Sequence, residues 1–449
     1  MMRKAMISFA NKLAPAYLTV LMLYQFFLYF MIGNIFHSLF LPMIDHTHFS
    51  IVWVTTIILI PFFAKECKKA WNEKRKAEQI FLVSCGVFVS IASLKRLGSV
   101  ESVWGLLTAI TVFMFLLLAP KLLKKRHYAV LFWFVSILAG VHAVSQICFV
   151  LGQTQQFCGF NVNMPHGRLM RVPHLPLLAL LDGYTGGWFT NPNCLASYIM
   201  AIPAISIFLS QPAFTRSKAA RWLALSICAL TSISLLLTFS RAAILSAMLG
   251  MILPAVYALR KRKVPVFASV SFLVVLVSGL FFAQMRFTTL GDPLSLSGRI
   301  DIWKSVSESL KHLPFFGYGT FRGANTGETP HNVFLANLLF YGVPGFVSLL
   351  AMLGSGIFMI GRQVKREPGY GVLALFGFVL AYICAYSQIE YVLTCPHSFS
   401  NSVVLLVFGF LIYLSTKKQE NKQAARDNET ETEILSQADS HKLQSPVRP

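Results

Sequence analysis

Charged residues are scarce in this chain. Asp, Glu, Lys and Arg make up 13% of its 449 residues, while hydrophobic residues make up 55%. A soluble globular domain carries roughly 25% charged residues. The deficit falls in apolar runs of roughly 20 residues, the length that crosses a hydrocarbon core about 30 Å thick. Because a soluble core needs no such runs, the composition predicts a protein that crosses a membrane many times.

Acidic residues are the rarer charged class, with 18 Asp and Glu against 39 Lys and Arg and a net charge of +21. A strong positive charge is one mark of nucleic-acid binding. Here, however, the cations crowd into short segments between the apolar runs, as they do in cytoplasmic loops under the positive-inside rule. This distribution argues against nucleic acid as a partner. Under this rule the basic segments are cytoplasmic, namely 65–76, 121–126, 216–221, 260–263 and 362–366.

The sequence also lacks the common motifs of metal- and nucleotide-dependent chemistry. It has no GxxxxGK[ST] loop, no HExxH or CxxC spacing and no Asp-x-Asp pair. These absences argue against ATP-driven transport by this chain, a zinc site and a divalent metal held on a nucleotide sugar. His46 and His48 form a pair without an obvious third ligand. We therefore expect neither a metal nor another cofactor.

The eight cysteines give no sign of a disulfide scaffold. Most of them lie inside apolar runs. Cys158 and Cys395 fall in segments that we expect outside the cytosol, where a disulfide is chemically allowed. Unpaired thiols are the favoured interpretation.

The apolar runs and the basic segments alternate in a way that indicates one topology. The N-terminus, MMRKAMISFANK, is basic and no small-residue cleavage site follows it, so we expect an uncleaved first span that starts in the cytosol. Every strongly basic segment then falls on the cytoplasmic side. The expected fold is all-α, with about 12 transmembrane helices and both termini in the cytoplasm. The apolar runs are 18–40, 49–64, 80–94, 103–119, 128–151, 194–210, 222–238, 242–259, 264–283, 332–360, 371–387 and 398–415.

One membrane-embedded domain is expected over 1–415, followed by a polar cytoplasmic tail over 416–449 whose composition favours disorder. Two outer segments, 152–193 and 284–331, are too long for simple connectors and are therefore expected to be functional. The second segment carries an apolar pattern that predicts an amphipathic helix over 298–313.

Three basic side chains stand where this topology places the outer face. Arg241 follows the run LLLTFS, Arg299 begins the predicted amphipathic helix, and His331 precedes the apolar run at 332–360. Each has an ordinary alternative role, namely snorkelling to headgroups, pairing with a nearby aspartate, or capping a helix. Guanidinium groups bind phosphate oxygens bidentately, and imidazole is the usual general base near neutral pH. The set therefore fits attack on a sugar carbon that bears a diphosphate, a reaction that needs no paired carboxylates.

Four stretches around these residues resemble the O-antigen ligase and O-antigen polymerase superfamily, which also includes bacterial protein O-oligosaccharyltransferases. They fall in the family's order and at its topological positions, over roughly the second half of the chain. The stretches are GGWFTNPNCLASYI at 186–199, TFSRAA at 238–243, SGRIDIWKSV with PFFGYGTF within 297–321, and PHNVFLANLLFYGVPG at 330–345.

The resemblance implies a glycosyltransferase of the bacterial inner membrane that takes glycan from an undecaprenyl diphosphate carrier at the periplasmic face, without nucleotide or metal. Arg241 and Arg299 match the family's arginines that are expected to hold the diphosphate. His331 matches its histidine, which is expected to activate the acceptor hydroxyl or assist its attack. Further candidate substrate-binding residues are Arg168, Arg171, Asn191, Asn193, Asn332 and Glu328.

One departure from the family's pattern concerns the partner of the base. Family members often carry an acidic residue shortly after the HN motif, whereas this chain reads LLFYGVPG there. If the base needs a carboxylate, another part of the chain must supply it, and Glu328 and Glu390 are candidates.

The acceptor distinguishes the activities within the superfamily. A ligase transfers O-antigen to lipid A–core, a polymerase extends the glycan on its carrier, and a protein O-oligosaccharyltransferase modifies a pilin-type protein. We favour the ligase, because polymerases are usually more divergent at the HN and GR motifs and this chain has no large C-terminal extension. A transporter of lipid-linked glycan is the alternative from another class, and the near absence of acidic residues from the apolar runs argues against it.

Overall fold

The structure is a computed structural model of the chain. It describes residues 13–27, 75–94, 109–152, 192–238, 240–260, 299–319, 330–366, 368–389 and 401–417, with positions 64, 68, 71, 72, 156, 157, 160 and 161. The statements about structure that follow concern these residues.

The described part of the chain is helical apart from one antiparallel ladder between Gln156–Phe157 (β1) and Phe160–Asn161 (β2). This confirms the predicted helical fold class, and the ladder lies in the segment 152–193, one of the two long loops that the sequence predicts to be periplasmic and to contain short helices. The helices are α1 (Leu13–Phe27), α2 (Lys76–Leu94), α3 (Ala109–Leu122, π-helical over Phe113–Leu118), α4 (Lys125–Gly152), α5 (Pro192–Ile199), α6 (Ile202–Leu209), α7 (Lys218–Leu237), α8 (Arg241–Arg260), α9 (Arg299–Leu310), α10 (Val333–Arg366), α11 (Tyr370–Ala381) and α12 (Asn401–Lys417).

Five of the described helices, α2, α4, α7, α8 and α10, are long and apolar enough to cross a membrane. Shorter apolar helices cover most of the other predicted runs. The runs at 49–64 and 264–283 lie outside the described residues, apart from position 64. The chain is therefore a membrane protein by its helices, while the span count of about 12 stays a prediction.

Aromatic rings bind the centre of the bundle together. Phe132 of α4, Phe208 of α6 and Phe410 of α12 lie with ring centroids 5.1 to 5.6 Å apart, and Tyr128 stacks against Phe410 at 5.0 Å. All four are buried. Tilted and edge-to-face pairs at this spacing are the favourable arrangements for aromatic side chains. They hold three helices from distant parts of the sequence in one core.

The basic segments of the first half of the chain meet at one end of this bundle. Glu78 at the start of α2 is buried and pairs with Lys121 and, at 2.6 Å, with Arg75. The ammonium group of Lys125 donates to the carbonyl of Ala213, 3.0 Å away, in the connection between α6 and α7. Segments that the charge pattern placed on one side of the membrane are therefore neighbours in the fold. We call this end of the bundle the basic end.

Helix α8 runs antiparallel to α11. The backbones of Gly250 and Gly377 touch: a methyl group on Gly377 would overlap the carbonyl of Gly250, and one on Gly250 would lie only 3.0 Å from the Cα of Phe378. The rings of Tyr257 and Tyr370 lie 5.0 Å apart. The end of α8 thus lies beside the start of α11. By the same pairing, Arg241 at the start of α8 lies beside the end of α11, at the opposite end of the bundle from the basic end.

Helix α10 is broken after its first turns, whereas the sequence predicted one continuous span at 332–360. Gly342 has φ 65 and ψ −164, which is not helical and which residues with a side chain rarely adopt. Pro344 has no N–H, so the carbonyl of Phe340 loses its partner four residues on. The carbonyl of Leu339 loses its partner too, because the N–H of Val343 donates instead to Phe315, at 3.0 Å.

A loop with two glycines fills the break. We call residues 314–319 (PFFGYG) the glycine loop. The N–H of Tyr318 donates to the carbonyl of Leu339 at 2.7 Å, and the N–H of Gly319 donates to that of Phe340 at 3.0 Å. Both carbonyls that the break releases are therefore satisfied, as buried backbone groups require.

Gly317 and Gly342 stand back to back where the glycine loop meets the break. Both have positive φ, 75 and 65 degrees. A methyl group built on Gly317 would overlap the backbone of Gly342, and one built on Gly342 would overlap Phe315 and Gly317. Only glycine fits at either position.

The first prediction concerns Gly342→Ala. The alanine would have to adopt φ 65 and ψ −164, a conformation essentially restricted to glycine, at a cost of about 1–3 kcal/mol, and its methyl group would displace the glycine loop. We expect a clearly lower thermal midpoint for the purified protein in detergent. Gly354→Ala is the matched control on the same helix, because a methyl group there meets nothing within 4 Å and alanine favours the helix. Equal midpoints for the two variants would contradict the proposed packing.

Candidate functional site

Arg241 lies at a tight reversal between α7 and α8. Helix α7 ends at Leu237, and α8 begins at Arg241. The carbonyl of Ser240 accepts the first helical bond from Ile244 at 2.9 Å, and the hydroxyl of Thr238 accepts from the N–H of Ser240 at 3.3 Å. Arg241 is therefore the first residue of a helix, partly buried, where free N–H groups and the helix dipole add positive potential.

An apolar cleft lies along α8 and begins at Ile244, close to Arg241 in the sequence. Ile244, Met248 and Met251 line it, and their spacing puts them on the same face of the helix as Arg241. Residues of α6 and α7 and Phe378 of α11 close the other sides. The cleft is lined almost wholly by apolar residues, and Arg241 precedes Ile244, the first residue of α8 in the lining, by about one helical turn. It is suited to an amphipathic ligand with an anionic head and an apolar chain.

His331 is held in an uncommon backbone conformation. Its φ of 45 degrees is the only positive value among the described residues other than glycine. Pro330 before it is buried, and His331 itself is partly exposed. A positive φ in a residue with a side chain costs of the order of 1–3 kcal/mol and persists only where the surrounding contacts hold it.

Helix α9 is tied to the segment that carries His331. The indole N–H of Trp303 donates to the carbonyl of Pro330 at 2.8 Å. Arg299 is the first residue of α9, about one helical turn before Trp303. The amphipathic helix predicted at 298–313 is thereby confirmed as Arg299–Leu310, and its first turns lie against the start of α10.

The apolar face of α9 packs on the first half of α10, and its end is capped. Val306 and Leu339 are both buried in this contact. Farther along, the hydroxyl of Tyr318 in the glycine loop lies 2.9 Å from the carbonyls of Ser309 and His312, to which it can donate. Helix α9 is thus held against α10 at both of its ends. These contacts also fix the position of the backbone of Arg299, the first residue of α9.

Asn332 caps α10 with one end of its side chain and reaches α11 with the other. Its carbonyl oxygen accepts from the N–H groups of Phe334 and Leu335, at 2.9 and 3.0 Å. Its amide nitrogen donates to the backbone carbonyl of Gln388 at 3.1 Å and to the side-chain oxygen of Gln388 at 3.3 Å. This amide, which we had considered for substrate binding, is engaged by the protein on both sides.

The end of α11 contains a π-helical segment. Helix α11 continues through Tyr382–Tyr386 in π geometry and ends with a last turn at Ser387–Ile389. Single π turns inside α-helices are frequently found at functional sites. The pairing of α8 with α11 brings Arg241 close to the level of Tyr386, directly before the turn that contains Gln388. The starts of α8 and α10 therefore share a neighbour.

The three predicted site residues accordingly belong to elements that meet at one end of the bundle, away from the basic end. Trp303 connects the helix that starts at Arg299 to the segment of His331. Gln388 connects that segment to the end of α11, beside the start of α8.

The remaining candidates are less informative. Asn193 lies partly buried in α5, which packs against α8; outside the described residues lie Arg168, Arg171, Asn191, Glu328, Glu390, Cys158, Cys395, His46 and His48.

Two residues that hold the site together were not singled out for it from the sequence. Trp303 was noted only as a possible member of an apolar helical face, although the tryptophan follows Arg299 at one-turn spacing. Gln388 had no signal in the sequence, because its role depends on a contact with Asn332 across 56 positions. Among the described residues, no three His, Cys, Asp or Glu side chains are placed to hold a metal ion.

Comparison with known proteins agrees with the geometry. Residues 226–350 match the family model described as O-antigen ligase. The match contains Arg241, Arg299 and His331, and it confirms the resemblance stated on the motifs; the stretch at 186–199 lies outside it. The comparison with curated proteins gives no match. Over residues 226–350, this chain is therefore similar to the O-antigen ligase family.

Proposed function

We propose that the protein is an O-antigen ligase, which transfers glycan from undecaprenyl diphosphate to a hydroxyl of lipid A–core at the periplasmic face of the bacterial inner membrane. The observation that carries this proposal is the contact chain through Trp303, Asn332 and Gln388, because it joins the elements that present Arg241, Arg299 and His331. The family match spans the same three residues.

The two arginines are proposed to hold the diphosphate of the donor. In the reaction, the bond between the sugar carbon and the diphosphate oxygen breaks, and the diphosphate leaves with the electron pair. Guanidinium groups stabilise that developing charge through paired N–H donors. Both residues begin a helix, α8 or α9, so that the N–H groups of the first turn add to the attraction.

His331 is proposed to accept the proton of the attacking hydroxyl as the new bond to the sugar carbon forms. Its position between a buried proline and a capping asparagine fixes the backbone from which the imidazole projects. A fixed base raises the rate because reacting groups are held in near-attack geometry. The chemistry assigned to the three side chains requires no metal.

The apolar cleft of α8 is proposed to take the part of the polyprenyl chain nearest the diphosphate. Burial of hydrocarbon stabilises binding by about 25 cal/mol per Å², and the cleft begins on the face of α8 that carries Arg241. An anionic head at Arg241 with an apolar chain below it matches the polarity of the cleft.

The choice of the ligase among these activities rests on the HN and GR motifs, and the description of the matched family is in line with it. A polymerase or a protein O-oligosaccharyltransferase would use the same donor and the same three side chains. These activities differ in the second substrate alone, so an assay with several acceptors separates them.

A lipid-glycan transporter is the second candidate, because one observation favours it. Helix α10 is discontinuous at Gly342, and broken helices form the substrate sites of many transporters. In those proteins the break exposes backbone groups to the substrate. Here the glycine loop already satisfies the carbonyls of Leu339 and Phe340. The break therefore supports a structural role better than a transport site.

The test of the proposed function is a transfer assay with purified protein in detergent, lipid-linked glycan and lipid A–core. We expect glycosylated lipid A–core without ATP. Product with a pilin-type protein alone, or elongated glycan on the carrier alone, would replace the ligase with one of its relatives. Scrambling of the lipid in vesicles without product from any acceptor would establish the transporter.

The second prediction concerns Arg241→Ala and His331→Ala. Each removes a group that acts on the transition state, so transfer should fall by a factor of about 10² or more, while the amount of folded protein in the membrane stays unchanged. The measurement is initial rate in the transfer assay at equal protein.

The matched controls are an arginine on the same helix as Arg241 and a histidine outside the site. Arg260→Ala changes the exposed last residue of α8 at the basic end, and His312→Ala changes an exposed histidine just after α9. Both should transfer at the wild-type rate. If Arg241→Ala and His331→Ala vanish from the membrane, or if they transfer as well as their controls, the catalytic roles are wrong.

The third prediction concerns Arg299→Lys. The ammonium group keeps the charge but loses the planar fork, so kcat/KM for the donor should fall about tenfold or more. Lys304→Arg on the same helix is the control, because Lys304 is exposed and pairs only locally with Asp301 at 3.1 Å. Unchanged kcat/KM in Arg299→Lys would argue against bidentate diphosphate binding by Arg299.

A further inference from the structure

The backbone of His331 needs external support. Its positive φ, in a residue with a side chain, costs of the order of 1–3 kcal/mol, which the surrounding contacts must offset. On the preceding side, Trp303 fixes the carbonyl of Pro330. On the following side, the support comes from Asn332 and, through it, from Gln388.

The bonds of Asn332 divide into two sets with different consequences. The bonds to Phe334 and Leu335 are those of an ordinary helix cap and lie within α10. The two bonds to Gln388 leave α10 and reach a helix that is fixed by its packing on α8. Only the bonds to Gln388 fix the position of His331–Asn332, the HN segment, relative to α8, which begins with Arg241.

The side chain of Gln388 is itself oriented. Its amide nitrogen lies 3.5 Å from the carbonyl of Ile383, in the π-helical segment, while its oxygen accepts from Asn332. Ile383 belongs to the π-helical segment, five residues before Gln388, so the glutamine bonds back onto its own helix. Gln388 is partly buried, and Ser387 before it is fully buried.

We propose that Gln388 is a positioning residue for the transfer reaction. It holds Asn332, and through Asn332 it holds His331 at the distance from the diphosphate site that proton transfer requires. This inference rests on the proposed function, and it adds a residue of α11 outside the matched residues 226–350. Gln388 touches no substrate; it acts by preventing the HN segment from drifting.

The consequence is a specific kinetic signature. Gln388→Met keeps the length of the side chain but removes both amide contacts. The backbone carbonyl of Gln388 still accepts from Asn332, so the site should loosen without collapsing. Since small misplacements of a reacting group cost up to about 10²-fold in rate, we expect kcat to fall about tenfold, with KM for the lipid-linked donor unchanged.

Two further variants control for packing and charge. Gln388→Glu retains oxygen atoms that accept from Asn332, and its kcat should stay within about threefold of wild type. Cys384→Ser changes an exposed residue of the π-helical segment and should leave kcat unchanged. If Gln388→Met proves unstable in detergent, Asn332→Asp replaces it, because Asp preserves the helix cap while it removes the donor to Gln388.

The decisive measurement is a double-mutant comparison. In a His331→Ala background, Gln388→Met should lower the residual rate no further, because the group that it positions is gone. In an Arg241→Ala background it should lower the rate by the same factor as in wild type. Additivity with His331→Ala, or a loss that appears in KM and thermal midpoint instead of kcat, would overturn the inference.

The failure of the inference can be told from the failure of the proposed function. Wild-type protein without any transfer activity would overturn the proposed function, and the inference with it. Wild-type activity with an unaffected Gln388→Met variant would overturn the inference alone.

Discussion

The close contact between Gly317 and Gly342 is the constraint on which the rest of the site depends. Helix α10 cannot continue through Gly342 and Pro344, and the carbonyls it releases are satisfied only by the glycine loop. The loop begins a few residues after α9 ends, and Tyr318 caps that end. One backbone contact therefore fixes the amphipathic helix against the start of α10. Arg299 and His331 owe their common location to it.

The charge distribution gives this end of the bundle its chemistry. At the basic end, Glu78 lies between Lys121 and Arg75, so the cations there have a buried acidic partner. At the start of α8, the first turn contains no acidic residue. On α9, the acidic residue of the first turn, Asp301, is exposed and paired with Lys304. A positive site of this kind attracts a multiply charged anion, and an apolar cleft adjoining it selects an anion attached to hydrocarbon.

The sequence predicted those features that depend on residues close together in the chain. Apolar runs predicted most of the described helices, and the apolar pattern over 298–313 predicted α9. The sequence did not predict the break at Gly342. An apolar run with an internal Gly-x-Pro is compatible both with one kinked span and with two separate helices. The glycine loop, the π-helical turn and the bond between Asn332 and Gln388 were also missed. Each is a contact between distant segments, and nothing in local composition encodes it. The roles of Arg241, Arg299 and His331 in the reaction stay predictions.

The central claim is that the starts of α8, α9 and α10 form one binding site for a lipid-linked diphosphate. An experimental structure of the purified protein in a lipid bilayer disc with undecaprenyl diphosphate tests it most directly. We expect both phosphates to lie between the guanidinium groups of Arg241 and Arg299. The imidazole of His331 should face the open side of the site, and the first isoprene units should lie in the apolar cleft beside Met248. Phosphates bound at the basic end, or a bound lipid that contacts only one of the three side chains, would contradict the claim.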